Sequence, residues 1–443
     1  APIYDFGERV NGVNEGRMYG AATNPVATQM LDRDTYQNDY VVLNSGLDIK
    51  LPYNFVFSTT VGLSGDFSRN DDFTTPTGGS GLAYNGIGYK SRINTKEITW
   101  NQILKWDTRF SNDLGLQAML GHEIFDYDMN IVNGEKSNFL DPNSSEWQNA
   151  AKVTSLTSYN RTYNVEGYFA QLTADYKDKY YFSSSYRRDG SSVFSPENRW
   201  GNFWSVGGSW LLHKESFLSD VSFIDQLKLK SSYGLQGNDN LFLPNSTVRS
   251  YSPYYTLFNI TTDGDNSGLS PLYKGRRDVT WEKNYNFNVG LEFSFARGII
   301  SGEVEYFERN TKDLLFNLPV SSATGFTSEP WNIGDMSNKG VEVMLNSRII
   351  NTNDFSWSVS ANATHFVNKI TSLPDQFKET GITNGSQLMK IGGSIYDFHL
   401  VKYVGVDQTK GATIFQVKNC NGEFEDKINT GTNDGTANRE LAG

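Results

Sequence analysis

Along most of the chain, apolar and polar side chains alternate at period two in long segments. The clearest runs from Val279 to Phe295. Its odd positions from 285 are Tyr285, Phe287, Val289, Leu291, Phe293 and Phe295; its even positions are Asn284, Asn286, Asn288, Gly290, Glu292 and Ser294. A strand sends successive side chains to opposite faces, so this segment has one greasy face and one wet one. Ten steps at roughly 3.3 Å, tilted by about 40°, rise roughly 25 Å, the height of hydrocarbon that a tilted strand has to cross. The pattern predicts a membrane-crossing strand.

Eleven other segments share the pattern. They pair across short turns: 41–51 with 55–67, 98–110 with 114–124, 168–176 with 180–186, 285–295 with 300–306, and 341–349 with 355–363. Two more, around Trp204–Leu212 and Leu227–Leu235, lie between the third and fourth pairs, and a thirteenth is expected around Ile395–Gly405. The connections near 51–54, 111–113, 177–179, 296–298 and 350–354 are short. Those near 68–94, 128–162, 237–278 and 317–336 are long, and the link 213–225 is a longer excursion on the short side. Antiparallel strands send alternate loops to opposite ends, so one rim is trimmed and the other elaborate, as in barrels with short periplasmic turns and long outer loops. Soluble strands are typically only about 5–6 residues long, which disfavours a sandwich or propeller.

Composition agrees. Of 443 residues only 37% are hydrophobic, and no run approaches the ~18 apolar residues of a membrane helix; a barrel needs none, because only every second residue meets lipid. The 24 Tyr, 28 Phe and 9 Trp, with 41 Gly, suit strands, tight turns and aromatic girdles. A formal charge of −11 without a basic stripe argues against nucleic acid as a partner. The single cysteine, Cys420, excludes an internal disulfide framework.

Several stretches then align with a known family. Arg188-Asp189-Gly190-Ser191-Ser192-Val193-Phe194, followed by Asn198-Arg199-Trp200-Gly201-Asn202-Phe203 and Ser205-Val206, resembles "RxDGSSxF…NRWGxFPSV", with Trp204 where proline is usual. Leu227-Lys228-Leu229-Lys230-Ser231-Ser232-Tyr233-Gly234 with Gln236-Gly237-Asn238 resembles "LKLRxSYGxxGN". Trp281-Glu282-Lys283, Tyr306 with Thr311-Lys312-Asp313-Leu314-Leu315, and Asn332-Ile333-Gly334-Asp335-Met336 with Asn338-Lys339-Gly340-Val341-Glu342 complete the series. In order and spacing these resemble the SusC/RagA family of TonB-dependent outer-membrane transporters over most of 163–405. The same residues also have turn chemistry, Asp189-Gly190 and Asn338-Lys339-Gly340 above all, which predicts an architectural role for them.

The resemblance implies an all-β, antiparallel transmembrane β-barrel, of which this chain supplies about 12–13 of 22 strands. It implies location in the outer membrane of a Gram-negative bacterium, contact with the lipid bilayer, a SusD-like surface lipoprotein over the outer loops, and TonB acting through an N-terminal plug. It also implies an oligosaccharide or peptide cargo. The expected organisation is an irregular entry segment (1–38), barrel strands and loops (39–405), and an irregular, truncated loop segment (406–443). Neither a plug nor an aromatic-ended last strand is recognisable, so the chain reads as an interior piece of a longer polypeptide.

No catalytic constellation is found. His122, His213, His365 and His399 show no metal-ligand spacing, and no nucleophile elbow or Walker loop is present; Gly78-Gly79-Ser80-Gly81 lacks the strand-to-helix setting that phosphate binding requires. No cofactor is expected. Asp263-Gly264-Asp265-Asn266-Ser267-Gly268 resembles half a calcium loop, but Lys274 stands at the position of the bidentate glutamate, leaving a plain turn or a loose calcium site. Trp147, Tyr251, Tyr254, Tyr255 and Trp331 fall in the long loops, where aromatic faces either stack on cargo or pack the loops together. The alternative reading is a structural or adhesive surface β protein without a pore.

Overall fold

The computed structural model describes residues 8–10, 13–15, 29–76, 79–110, 113–219, 221–243, 246, 248–263, 266–418, 424–428 and 440–441. Twelve long strands form one antiparallel sheet: β1 (Arg33–Lys50), β2 (Phe55–Thr74), β3 (Ile87–Phe110), β4 (Leu114–Phe139), β5 (Ala150–Tyr176), β6 (Tyr180–Ser191), β7 (Trp200–Leu211), β8 (Ile224–Asn238), β9 (Glu282–Phe295), β10 (Ile300–Pro319), β11 (Ser328–Asn351) and β12 (Ser356–Ser372). Each strand pairs with its neighbours in sequence, from β12 through to β1. They are the twelve segments that alternation picks out, in the same order.

The chain divides into two compact units. The first comprises residues 1–50, 56–103 and 122–166; the second comprises 51–55, 104–121 and 167–443. In the first, Phe73, Phe139 and Ala150 form a small buried cluster, with the Phe73 and Phe139 rings edge to face at 4.9 Å. In the second, Leu318, Ile333, Ile370, Leu373, Ile382 and Met389 form a larger one at the long-loop ends of β10–β12.

The strands outrun their alternation. β3, β4 and β5 have 24, 26 and 27 residues, so the expected loops 68–94 and 128–162 shrink to 75–86 and 140–149, and 317–336 shrinks to 320–327. Above the apolar stretch both faces are polar, which erases the period-two signal while the backbone ladder continues. Cross-strand pairs such as Asn130 Nδ2 to Asn160 Oδ1 (2.5 Å) and Thr154 Oγ1 to Ser137 Oγ (3.2 Å) occupy that region. β1 likewise starts at Arg33, ahead of the residue-39 boundary.

The thirteenth strand is a correction. Lys402–Val406 pairs with Thr413–Lys418, and that with Phe424–Ile428, in a separate three-stranded sheet outside the main one. The segment expected to be irregular from 406 therefore contains strands. Its apolar positions are too few and too closely spaced to show a long period.

The short connections turn through left-handed backbone. Lys177 and Asp178 have φ of 53° and 49°, and Ala296, Arg297 and Gly298 have φ of 54°, 61° and 76°. Paired positive φ values match the twist of antiparallel strands. A side chain there costs about 1–2 kcal/mol, least for Asn. Ala296→Asn should therefore raise stability by about 0.5 kcal/mol, and the β-branched Ala296→Val should lower it by about 1–2 kcal/mol. The midpoint of heat-induced mobility change on a semi-native gel would show both shifts.

Candidate functional site

The sheet has two chemically opposite faces. One row of the first face is set by register: Tyr180, Trp210, Leu229, Leu291, Val304, Val343 and Ala363 lie directly opposite one another on successive strands from β6 to β12. Tyr285, Phe287, Val289, Leu291, Phe293 and Phe295 all belong to this face of β9. No apolar layer covers it among the described residues: Leu229, Leu291, Val304 and Leu345 are exposed, Leu291 at 37%. Near the short turns, three aromatic groups pack on this face, Phe55–Trp106–Phe110, Tyr176–Tyr180–Trp210 and Phe223–Phe295–Phe293, with centroids 4.9–6.4 Å apart; all the contacts are stacked except Trp106–Phe110, which is edge to face.

Charge marks the other limit of the greasy band. Glu308 and Lys339 face each other across β10 and β11 and pair at 2.9 Å, Arg188 lies over the Trp200 ring at 5.3 Å, and Lys312 over Tyr285 at 5.6 Å. In the first unit, His122 sits between Gln102 Oε1 (2.6 Å) and Glu166 Oε1 (3.2 Å).

The second face is wet and cross-braced. The Lys230 ammonium pairs with Glu303, with Glu305 at 3.1 Å and with Glu292 at 3.5 Å, while Lys228 pairs with Glu292 at 3.2 Å. Asn286 bonds Gln236, Asn288 bonds Ser232, and Thr311 donates to Asn284 at 2.6 Å. A concavity of about 510 Å³ opens here, with Gly115, Gly207, Gly208 and Ser183 in its wall beside Lys230 and Glu305. Period two places all these residues except Gly208 on the polar side, so parity alone could have assembled them; only their convergence on Lys230 needs the register.

At the long-loop end, the motif residues bond to one another. Ser191 Oγ donates to Asp239 at 2.6 Å, and Arg249 donates to the other Asp239 oxygen at 2.6 Å; Ser191 and Asp239 are both buried. Trp281 Nε1 donates to the Arg199 carbonyl at 2.8 Å, and Thr280 Oγ1 to the Asn198 carbonyl at 3.0 Å. Asn332 donates to the carbonyls of Thr280 and Asp313 and accepts from the Thr280 N–H. Glu282 accepts from Asn238, Asn284 and the Leu315 N–H. The Phe203 ring lies where a Cβ on Gly201 or Gly237 would stand, with Trp281 beside both, which is why those two positions are glycine. Asp239 and Arg249 escaped the sequence reading because they are lone polar residues in a long loop.

The loop aromatics do not gather into one site. Trp147, in the first unit, donates its indole N–H to the Gly88 carbonyl at 2.9 Å and packs on the Phe73 cluster, so it braces a loop. Trp331 carries the Arg276 guanidinium at 3.4 Å from its ring centre and borders the Leu318 cluster. Tyr251 lies under Arg249 at 5.8 Å. The Tyr254 and Tyr255 rings lie 4.3 Å apart, tilted by 41°, and Tyr255, 55% exposed, presents the open face.

Among the described residues no group of His, Cys, Asp and Glu is arranged to hold a metal ion. His213 bonds the backbone of Leu227, and His399 lies in a short strand. Asp263 and Asn266 close a hairpin of Leu257–Asp263 and Asn266–Tyr273; Gly264 and Asp265 of the calcium-like segment lie outside the described residues, as do Gly78 and Cys420.

On the short-turn side, Glu215 clasps the link after β7. Its carboxylate accepts from Tyr180 (2.7 Å), Trp210 (3.1 Å) and Lys179 (3.3 Å). The Tyr180 hydroxyl first, then Trp210 and Lys179, hold its carboxyl below the usual glutamate range. A depressed carboxyl stabilises above its unfolded pKa and loses that contribution as pH falls through the folded value. Pepsin cleavage of the 212–223 link should accelerate as pH drops below about 4, and Tyr180→Phe should move that onset to higher pH.

Lys230 yields a second expectation. Lys230→Met should destabilise the sheet by about 1–3 kcal/mol, less than for a fully buried pair because part of each side chain meets water. Adding Glu303→Gln and Glu305→Gln should restore most of it, measured by urea unfolding in detergent micelles.

Comparison with known proteins places this geometry. A family model described as "TonB dependent receptor-like, beta-barrel" matches residues 2–402. TonB-dependent receptor SusC of Bacteroides thetaiotaomicron is 28% identical over 432 residues, covering 91% of this chain and 41% of its own length. TonB-dependent receptor P39 of Formosa agariphila is 27% identical over 402 residues, covering 89% and 37%. The RagAB peptide transporter superposes with a TM-score of 0.82 at 22% identity, over 96% of this chain and 47% of the other, a likeness of fold. The chain thus spans less than half the length of these relatives.

Proposed function

Because the chain belongs to the TonB-dependent receptor-like β-barrel family, a family of receptors and not of enzymes, we propose that it forms part of the wall of an outer-membrane importer. The greasy face meets lipid, with the stacked aromatics at the periplasmic interface and the Glu308–Lys339 pair at the outer one. The wet face lines the interior, and the bonded loops form the outer rim. The observation that carries this reading is the uncovered apolar row from Tyr180 to Ala363, back to back with the Lys230 network. A sheet in water would have to bury that row under a second layer.

Cargo is an oligosaccharide or peptide, with a SusD-like lipoprotein over the outer loops and TonB supplying energy from the periplasm. The support is the motif series shared with SusC/RagA proteins, the SusC relative and the fold shared with a peptide transporter. Import needs no chemistry on the cargo. The aromatic candidates divide on this reading: Tyr254 and Tyr255 offer an open surface to cargo, whereas Trp147 serves packing. The adhesive alternative has no observation in its favour.

The facing assignment can be measured. Arginine at the bilayer midplane costs about 2–4 kcal/mol, so Leu291→Arg should cut insertion into liposomes sharply, while Asn288→Arg, on the opposite face, should insert like the parent. Equal insertion of the two variants would sink the membrane reading.

A further inference from the structure

The link 212–223, on the short-turn side after β7, is longer than the other connections at that end, and it is braced along its length. Besides the Glu215 clasp, Lys214 Nζ donates to the Asp178 carbonyl at 2.8 Å, and the Leu227 N–H donates to His213 Nδ1 at 3.2 Å. At the far end the Ala296 N–H donates to the Phe223 carbonyl at 2.8 Å. Between these ties the backbone closes successive tight turns. The N–H groups of Glu215, Leu218, Val221 and Ile224 each donate to the carbonyl three residues back, at 3.0–3.1 Å.

Residues three apart share one side of such turns. Leu212, Glu215, Leu218 and Ile224 are half-buried, so that side is turned toward the rest of the chain. Phe217 and Phe223 fall outside the column and stand 66% and 56% exposed. Their neighbours Ser216, Ser219 and Ser222 are uncharged, and Ser219 Oγ donates back to the Ser216 carbonyl at 2.9 Å; Asp220 lies outside the described residues. A backbone held this firmly cannot fold the two rings under cover. They leave water only against something that the link itself does not supply.

Both ends of the link hang on the aromatic groups of the greasy face. Tyr180 and Trp210 bond its Glu215, and the Phe223 ring stacks on Phe295 at 4.9 Å, which in turn stacks on Phe293 at 5.2 Å. Ile299, exposed in the adjoining turn, extends the same apolar surface. That surface is therefore continuous with the face assigned to lipid, at the level where aromatic side chains settle between hydrocarbon and headgroups.

We infer that the link 212–223 is a membrane-surface anchor, lying in the periplasmic leaflet with Phe217 and Phe223 among the acyl chains and its serines at the headgroups. Interfacial helices sink an apolar side about 5–10 Å into this boundary, and a braced run of turns does the same with two phenyl rings. Such an anchor fixes the height of the wall in the bilayer at one point of its periplasmic rim. The inference rests on the import reading, which puts the greasy face in lipid.

The test uses the whole polypeptide, purified from outer membranes with its cysteines replaced by serine and reconstituted into phosphatidylcholine vesicles. A bimane label is attached at Phe217→Cys, at Ile300→Cys on the greasy face, or at Gln226→Cys on the wet face. Fluorescence is compared between ordinary phosphatidylcholine and phosphatidylcholine brominated close to the headgroup. The Phe217→Cys label should lose as much fluorescence to bromine as the Ile300→Cys label, and the Gln226→Cys label should lose none. Val221→Cys replaces Phe217→Cys if that variant loses native heat-modifiable migration. Quenching at Ile300→Cys without quenching at Phe217→Cys overturns the anchor and leaves the importer standing, with the link open to water or to a periplasmic protein. Equal quenching at Gln226→Cys abolishes the sidedness and overturns the anchor as well. No quenching at Ile300→Cys removes the lipid-facing wall, and the anchor with it, whatever Phe217→Cys reads.

Discussion

Hydrogen bonding between neighbouring main chains is the constraint on which this structure depends. Among the described residues one face of the sheet has no packed core, since Leu229, Leu291 and Val304 remain uncovered. Side-chain burial on that face therefore cannot hold the strands together. The antiparallel ladder does so, running unbroken from Lys283↔Lys312 to Phe295↔Ile300 between β9 and β10. In hydrocarbon an unpaired N–H or C=O costs several kcal/mol, so such a ladder becomes stronger where the side chains are least able to help. The wet face adds braces, of which the Lys230 cluster is the densest.

Period two follows from this. Once the ladder fixes which side each residue faces, a one-residue slip would put Glu292 and Lys230 into the greasy face. The short turns resist such slips. Positive φ at Lys177–Asp178 and at Ala296–Gly298 sets the hairpin twist, and the aromatic stacks beside them tie the strand ends together.

That regularity made the wall readable from residues alone. The twelve strands, their order, the short turns and the two faces of β9 all follow from alternation. Strand length did not, because above the band both faces of β4 and β5 are wet and the alternation disappears, although pairing continues through Asn130 and Asn160. The loop architecture was half legible. Asp189-Gly190 and Asn338-Lys339-Gly340 announce turns, but nothing in their spacing says that Ser191 meets Asp239, or Asn332 meets Thr280, since those partners lie about fifty residues apart. The aromatic candidates do not share one place, for a related reason. Trp147 does lie in the loop 140–149 and packs there, whereas Trp331, expected in a long loop, lies within β11, because the polar residues around it hide the strand's start.

The ring of Phe203, set against Gly201 and Gly237, has an evolutionary consequence. Neither glycine can acquire a side chain while the phenyl ring stays, and a smaller residue at 203 would leave a hole beside Trp281. Drift at these three sites must therefore proceed in concert, through intermediates that are poorer than either end point. Descendants would be trapped with the inherited trio long after the surrounding loops had diverged.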